Sequence, residues 1–213
     1  LFFTHAKNII SFLITTKLHY IIIFIIRIRY FCSMQQKIVL IGGPGTGKSS
    51  VLNELISRGF ECMPEISRDV TLKAQEKGID QLFLTEPLLF SNLLLEGREQ
   101  QFLDADSTKS KLIFFDRGIP DVHAYLEFFN TDFPTYFIEK SNLYLYHRVF
   151  MLAPWKDIYT SDNERYESFE QAIKIHHHLK KTYEEIGYKI NIVPFGTIKE
   201  RTDFILDSIK SDL

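Results

Sequence analysis

Between two apolar segments of the chain stands the octapeptide Gly42-Gly43-Pro44-Gly45-Thr46-Gly47-Lys48-Ser49. It matches the pattern G-x-x-x-x-G-K-[ST] without a mismatch. Residues 37–41 before it are typical of a buried strand, and residues 48–58 after it repeat apolar side chains at helical spacing. A strand, a glycine-rich turn and a helix in this order predict a loop whose backbone N–H groups bind phosphate.

Each residue type in this motif has a physical role. Glycines let backbone N–H groups converge on phosphate oxygens in conformations that side chains would block. The Lys48 ammonium is placed to neutralise the β- and γ-phosphates, and the Ser49 hydroxyl to ligate Mg²⁺. We therefore predict that ATP with Mg²⁺ is bound by Gly42, Gly43, Pro44, Gly45, Thr46, Gly47, Lys48, Ser49 and Ser50.

The rest of the chain alternates short apolar runs with longer helical patterns. Strands are predicted at residues 37–41, 60–63, 111–115, 143–152 and 189–193. Helices are predicted at residues 48–58, 67–77, 87–103, 119–129, 168–186 and 197–209. Strands separated by helices predict an α/β fold, a P-loop NTPase three-layer sandwich with a mostly parallel sheet covered by helices on both faces.

Composition and charge narrow the class of protein. The chain has 213 residues, of which 45% are hydrophobic and 24% charged, and its formal net charge is −2. This predicts a packed globular core and disfavours nucleic acid as a partner. Two cysteines, Cys32 and Cys62, cannot build a disulfide framework, so we expect a reducing, cytoplasmic compartment.

Residues 1–33 have a different composition, with nine Ile, five Phe and no acidic residue. A membrane anchor is one interpretation, but Lys17 interrupts the apolar run, and a cation at a helix centre costs about 3 kcal/mol on insertion scales. A signal peptide is disfavoured because Arg27 and Arg29, not small residues, follow that run. We predict that residues 1–33 come from a misplaced translation start, that membrane association is not expected, and that residues 34–213 form the phosphate-loop domain.

Asp116 follows the apolar run at residues 111–115. An acid at the carboxyl end of a strand beside a phosphate loop can hold Mg²⁺ directly or through water, whereas capping of the next helix is the structural alternative. Arg117 comes next, at a position where motor ATPases usually carry a glutamate that polarises water. An arginine suits an anionic or hydroxyl-bearing substrate better than it suits activation of water.

Pro64-Glu65-x-x-Arg68 follows the second predicted strand. Glu65 is placed to accept a proton from a substrate hydroxyl, and Arg68 lies one helical turn away on the same side. The alternative is a surface helix start at which the helix dipole favours an acid.

The polar segment at residues 155–167 separates a predicted strand from a predicted helix, and we expect it to be a mobile loop. Arg165 in this segment is a candidate to close over the transferred phosphoryl group. The alternative is a solvated charge among neighbouring acids.

Four segments together resemble the NadR/Ttd-type AAA-like ATPase domains: GGPGTGKSS at 42–50, PEISRD at 64–69, FFDRGIPD at 114–121, and VFMLAPW at 149–155 with ERYE at 164–167. The resemblance covers about residues 36–210, and it extends more distantly to nucleoside and nucleotide kinases. It implies that Glu65 is the acceptor-side base, that Asp116 and Arg117 are the acid–arginine pair, and that Arg165 belongs to a lid. It also implies a substrate-binding set of Glu65, Arg68, Arg117 and Asp121.

Two classes of function are open at this point. The first is a kinase that transfers the γ-phosphoryl group of ATP to a small hydroxyl-bearing, nucleoside-like acceptor, with catalytic residues Lys48, Glu65, Asp116, Arg117 and Arg165. The second is a regulatory nucleotide-binding ATPase or GTPase switch that acts on a protein or lipid. The chain has no N-K-x-D motif for reading guanine, which disfavours a Ras-like switch.

Overall fold

A computed structural model describes residues 35–76, 78–79, 81–159 and 168–210. These residues contain one sheet of five strands in the order β2-β3-β1-β4-β5, and every neighbouring pair is parallel. The strands are β1 Gln36–Ile41, β2 Glu61–Met63, β3 Leu112–Asp116, β4 Arg148–Leu152 and β5 Ile190–Val193.

Eight α-helices occur in the described residues, with 3₁₀ turns at Ala105–Ser107 and Lys156–Ile158. No helix among these residues is long and apolar enough to cross a membrane. The helices are α1 Lys48–Ser57, α2 Ser67–Glu76, α3 Leu82–Thr85, α4 Pro87–Asp104, α5 Ile119–Phe128, α6 Tyr136–Leu143, α7 Phe169–Ile186 and α8 Ile198–Lys210.

Both faces of the sheet are covered, because successive side chains of each strand point to opposite faces. On one face, Leu40 and Phe150 belong to an apolar cluster with side chains of α1 and α8. On the other face, Val39 and Met151 belong to a cluster with side chains of α5 and α7. The predicted α/β sandwich with a parallel sheet is therefore confirmed.

The register of the sheet brings the predicted motifs together. Leu40 of β1 is the register partner of Asp116 in β3, and Met63 at the end of β2 is the partner of Phe115. The carboxyl ends of β1, β2 and β3 therefore lie side by side. The segments that follow these strands, which begin near Gly42, Pro64 and Arg117, meet at one edge of the sheet.

The strand predicted at residues 143–152 is wrong in its first half. Only Arg148–Leu152 is extended, and the helix α6 ends at Leu143. This helix escaped prediction because it buries few of its apolar side chains: Phe137 is fully buried, while Ile138 and Leu143 are exposed. Without a continuous apolar face, the segment lacks the periodicity by which helices are recognised.

We propose that residues 34–213 fold without residues 1–33, because the sheet and its two apolar clusters lie entirely within residues 36–210. A protein that begins at Met34 should therefore unfold at the same temperature as the longer chain and bind the same ligands. Thermal unfolding followed by circular dichroism compares the two. A lower unfolding temperature for the shorter protein would show that residues 1–33 contribute to the core.

Candidate functional site

In the loop between β1 and α1, three residues have φ values that favour glycine, namely Gly42, Gly45 and Gly47. Gly42 has φ 150°, and a Cβ atom there would lie 2.5 Å from the carbonyl oxygen of Leu152. Gly47 has φ 80° and precedes the first residue of α1, whose N-terminus has no side-chain cap. The first N–H groups of α1 are therefore left to bind an anion.

Lys48 lies folded against this loop. Its Nζ donates to the carbonyl oxygens of Gly42 at 2.8 Å and Gly43 at 2.9 Å. Burial, with the positive charge of Arg117, lowers the pKa of Lys48 to about 7, although Asp116 and Glu65 oppose this shift. The Lys48 side chain is thus held next to the loop, and its amino group is only partly protonated at neutral pH.

Glu65 lies beyond the end of β2 at the centre of a charged cluster. Its Oε1 accepts from the backbone N–H groups of Ile66 and Ser67, both at 3.1 Å, and from Arg98 Nη2 at 3.3 Å. Its Oε2 contacts Arg117 Nε. Burial alone would raise the pKa of Glu65, but the charges of Arg98 and Arg117, together with the Ser67 N–H, lower it to about 2.

Arg117 connects this cluster to the phosphate loop. Its Nη1 donates to the Tyr125 hydroxyl at 3.2 Å and to the carbonyl oxygen of Gly42 at 3.5 Å. Gly42 also accepts from Lys48, so the loop lysine and the arginine after β3 converge on one carbonyl oxygen. Arg117 has φ 71°, a left-handed conformation that is uncommon outside glycine.

Asp121 is fully buried in the first turn of α5. Its Oδ2 accepts from the Tyr183 hydroxyl at 2.6 Å and from the Gly118 N–H at 3.0 Å, and its Oδ1 lies 3.6 Å from Arg117 Nη1. The sequence places Asp121 in the substrate-binding set. Because Oδ2 already accepts two protein donors, and Oδ1, which has no hydrogen-bond partner among the described residues, lies beside Arg117, we propose that Asp121 contributes to substrate binding by orienting Arg117.

Asp116 ends β3 with its side chain buried. Its Oδ1 has no hydrogen-bond partner among the described residues. Burial raises the pKa of Asp116, and Lys48 and Arg117 oppose that rise. A buried carboxylate oxygen without a hydrogen-bond donor destabilises the folded protein unless a ligand binds to that oxygen.

The remaining predicted residues are more peripheral. Ser49, Ser50 and Arg68 are exposed, the first two at the start of α1 and the third at the start of α2. Arg165 lies outside the described residues. Tyr159, the last described residue before it, packs against the phosphate loop, because a Cβ atom on Gly45 would lie 2.6 Å from the Tyr159 ring.

Sequence reasoning missed Arg98, which is 4% exposed in the middle of α4. Arg98 Nη1 donates to the Gly118 carbonyl oxygen at 2.9 Å, and Nη2 reaches Glu65. One available signal was Gly97, an unusual residue for a helix interior. A Cβ atom there would lie 2.5 Å from Ile66 Cδ1, so the glycine allows α4 to approach the Glu65 segment closely.

The profile of an AAA domain family matches residues 37–201. The matched region contains the phosphate loop, the charged cluster and nearly the whole sheet. It lies within residues 36–210, over which the sequence motifs indicate a resemblance to such a domain. The chain belongs to this AAA domain family. No curated protein matches its sequence significantly.

Solved structures confirm the predicted kinase-like P-loop fold. Deoxyadenosine kinase from M. mycoides has a TM-score of 0.63 at 17% identity, over 83% of this chain and 100% of that chain. The NadR protein has a TM-score of 0.61 at 16% identity, over 84% of this chain but only 49% of that chain. Thymidylate kinase from Ehrlichia chaffeensis has a TM-score of 0.55 at 14% identity, over 83% and 99%.

The lowered pKa of Lys48 predicts that nucleotide binding takes up a proton. Above pH 7 the free lysine is mostly neutral, and a bound triphosphate favours its charged form. ATP affinity should therefore fall between pH 7 and pH 9, by at most about tenfold per pH unit. Calorimetry at pH 8 in two buffers of different ionisation enthalpy measures the uptake. Lys48→Ala should bind weakly and take up no proton; equal uptake by both proteins would contradict this assignment.

Proposed function

We propose that this protein is a kinase that transfers the γ-phosphoryl group of ATP to a small, nucleoside-like metabolite with a hydroxyl group. The observation that carries the proposal is the shared carbonyl oxygen of Gly42, which accepts from Lys48 of the phosphate loop and from Arg117 of the charged cluster. Phosphate loop and cluster are therefore neighbours. A triphosphate on one side would face an acceptor on the other.

Asp116 and Ser49 are the proposed residues for Mg²⁺. The buried Oδ1 of Asp116 has no hydrogen-bond donor among the described residues, and this oxygen could coordinate a divalent cation. Ser49 follows Lys48 at the start of α1 and adds a hydroxyl oxygen, the kind of ligand that Mg²⁺ prefers. The ion would supply charge neutralisation for the β- and γ-phosphates.

Glu65 is the proposed acceptor for the substrate hydroxyl proton. A carboxylate with a pKa of about 2 is a weak base, but proton removal is late in a loose phosphoryl-transfer transition state. Glu65 would first orient the hydroxyl by accepting its hydrogen bond. When a substrate draws Arg117 toward its own oxygens, the pKa of Glu65 rises and proton transfer becomes easier.

The named structures support a nucleoside-like acceptor. The M. mycoides deoxyadenosine kinase is described with dCMP as product and dCDP bound, and NadR is described in complex with NAD and AMP-PNP. This chain spans about half of the NadR chain. Only an activity of the half that it matches can therefore be proposed for this protein. Arg165 remains the proposed lid residue, and we propose that the protein works in the cytoplasm.

Glu65→Gln should lower acceptor-dependent turnover about 10²- to 10⁴-fold, the usual contribution of a general base. ATP affinity should change only a few-fold, because the amide keeps the side-chain size and Glu65 lies on the acceptor side. Steady-state kinetics with calorimetric ATP dissociation constants test both statements. Glu61→Gln is the matched control, since Glu61 is an exposed carboxylate four residues earlier. Equal turnover of both variants would remove Glu65 from the mechanism.

Arg117→Lys should also reduce turnover, because an ammonium cannot replace the planar guanidinium that contacts Glu65, Tyr125 and Gly42 at once. We expect the Michaelis constant for the acceptor to rise more than that for ATP. A variant with wild-type constants for both substrates would show that Arg117 has only a structural role.

The assay that decides the reaction class measures ADP release with ATP·Mg²⁺ and a panel of nucleosides. A kinase releases ADP much faster when its acceptor is present than when water alone can accept the phosphoryl group. Slow release that no acceptor accelerates, and that persists in Glu65→Gln and Arg117→Lys, would favour the regulatory nucleotide-binding switch instead.

A further inference from the structure

Arg201 of α8 reaches the phosphate loop from the opposite end of the chain. Its Nη2 donates to the carbonyl oxygen of Thr46 at 2.7 Å, across 155 residues of sequence. Its Nη1 would lie 2.7 Å from a Cβ atom on Gly47, so the guanidinium occupies the space that the glycine leaves. Arg201 is only 3% exposed, and Thr46 is fully buried.

This contact fixes the orientation of one peptide group. The peptide bond between Thr46 and Gly47 is planar, and its C=O and N–H point in opposite directions. With the Thr46 oxygen directed at α8, the Gly47 N–H points away from α8. Gly47 is the residue that precedes α1, so its N–H is the first of the N–H groups at the helix N-terminus, where a helix binds anions best.

Within the part of the chain that the structure describes, no acid compensates the charge of Arg201. No carboxylate forms an ion pair with it among the described residues, and its Nε has no hydrogen-bond partner there. Burial is the sole cause that lowers the pKa of Arg201. A buried guanidinium held by one carbonyl oxygen is a poor source of folding stability, because desolvation of the charge opposes the hydrogen bond.

We propose that Arg201 is a positioning residue for nucleoside triphosphate binding, which holds the Thr46–Gly47 peptide so that the Gly47 N–H faces the phosphates. The guanidinium acts through the loop backbone and makes no contact with the acceptor. The inference rests on the proposed nucleotide site and adds to it an arginine that contacts the loop backbone and lies outside all of the sequence motifs.

Arg58 provides a matched control. Arg58 follows α1 and forms an ion pair with Asp203 of α8 at 2.5 Å. It also forms an ion pair with Glu54 of α1 at 2.8 Å. Arg58 lies at the far end of α1 from the phosphate loop. Arg58→Met removes an arginine contact between α1 and α8, whereas Arg201→Met removes the arginine contact between α8 and the phosphate loop.

The experiment measures two quantities for Arg201→Met, Arg201→Lys and Arg58→Met. One is the unfolding temperature without nucleotide, and the other is the dissociation constant, by calorimetry, for ATP·Mg²⁺ and for tripolyphosphate with Mg²⁺. Arg201→Met should raise both dissociation constants about tenfold to a hundredfold, the range for a lost hydrogen bond to a charged group. Its unfolding temperature should stay the same or rise, because an unpaired buried charge is removed.

The other two variants should behave differently. Arg58→Met should lower the unfolding temperature and leave both dissociation constants unchanged. Arg201→Lys should bind ATP·Mg²⁺ with intermediate affinity, since an ammonium keeps the charge but loses the fixed geometry of the guanidinium. If Arg201→Met does not fold, Arg201→Lys carries the test and must still bind more weakly than the wild type.

Three outcomes would overturn the inference. Wild-type affinity in the folded Arg201 variants would overturn it while the proposed kinase function stands. Loss of affinity in proportion to a fall in unfolding temperature would show a merely structural residue. Loss of ATP affinity without loss of tripolyphosphate affinity would place Arg201 at the base and not at the phosphates. If the wild type binds no nucleoside triphosphate, the proposed function fails together with this inference.

Discussion

Basic side chains that donate to backbone carbonyl oxygens hold the phosphate loop in shape, and the rest of the site depends on these contacts. Lys48 and Arg117 donate to Gly42, while Arg201 donates to Thr46. In a planar peptide the C=O and the N–H point in opposite directions. A loop whose carbonyl oxygens face cations therefore presents N–H groups on its other side, which is what a polyanion needs.

In the free site, burial shifts the pKa values of Lys48 and Asp116 away from their usual values. A bound magnesium–nucleotide complex would reverse both shifts. Burial shifts the pKa of Lys48 downward and that of Asp116 upward, so both groups tend toward their neutral forms. Phosphate oxygens would favour the charged lysine, and a divalent cation would favour the ionised aspartate. Binding of such a complex would therefore be coupled to the ionisation of these two side chains.

The charged cluster around Glu65 is organised on a different principle, because its acids and arginines already lie at ion-pair distance from one another. Glu65 lies between Arg98 and Arg117, and the Asp121 carboxylate lies 3.6 Å from Arg117. A substrate that binds at this proposed acceptor site would have to exchange its own hydrogen bonds for some of these, so the site would be selective.

The sequence by itself determined the sheet, the phosphate loop and the segments that carry Glu65, Asp116 and Arg117, because those features depend on neighbours within about ten residues. Glycines at 42 and 47 and apolar runs before each motif are local signals. Only the tertiary structure revealed Arg98 and Arg201, which reach Glu65 across 33 residues and Thr46 across 155. The sequence shows each of them as a cation within a helix, and burial against a distant backbone depends on how α4 and α8 pack on the sheet. The helix Tyr136–Leu143 escaped prediction for a related reason, since the partner that buries Phe137 belongs to another part of the chain.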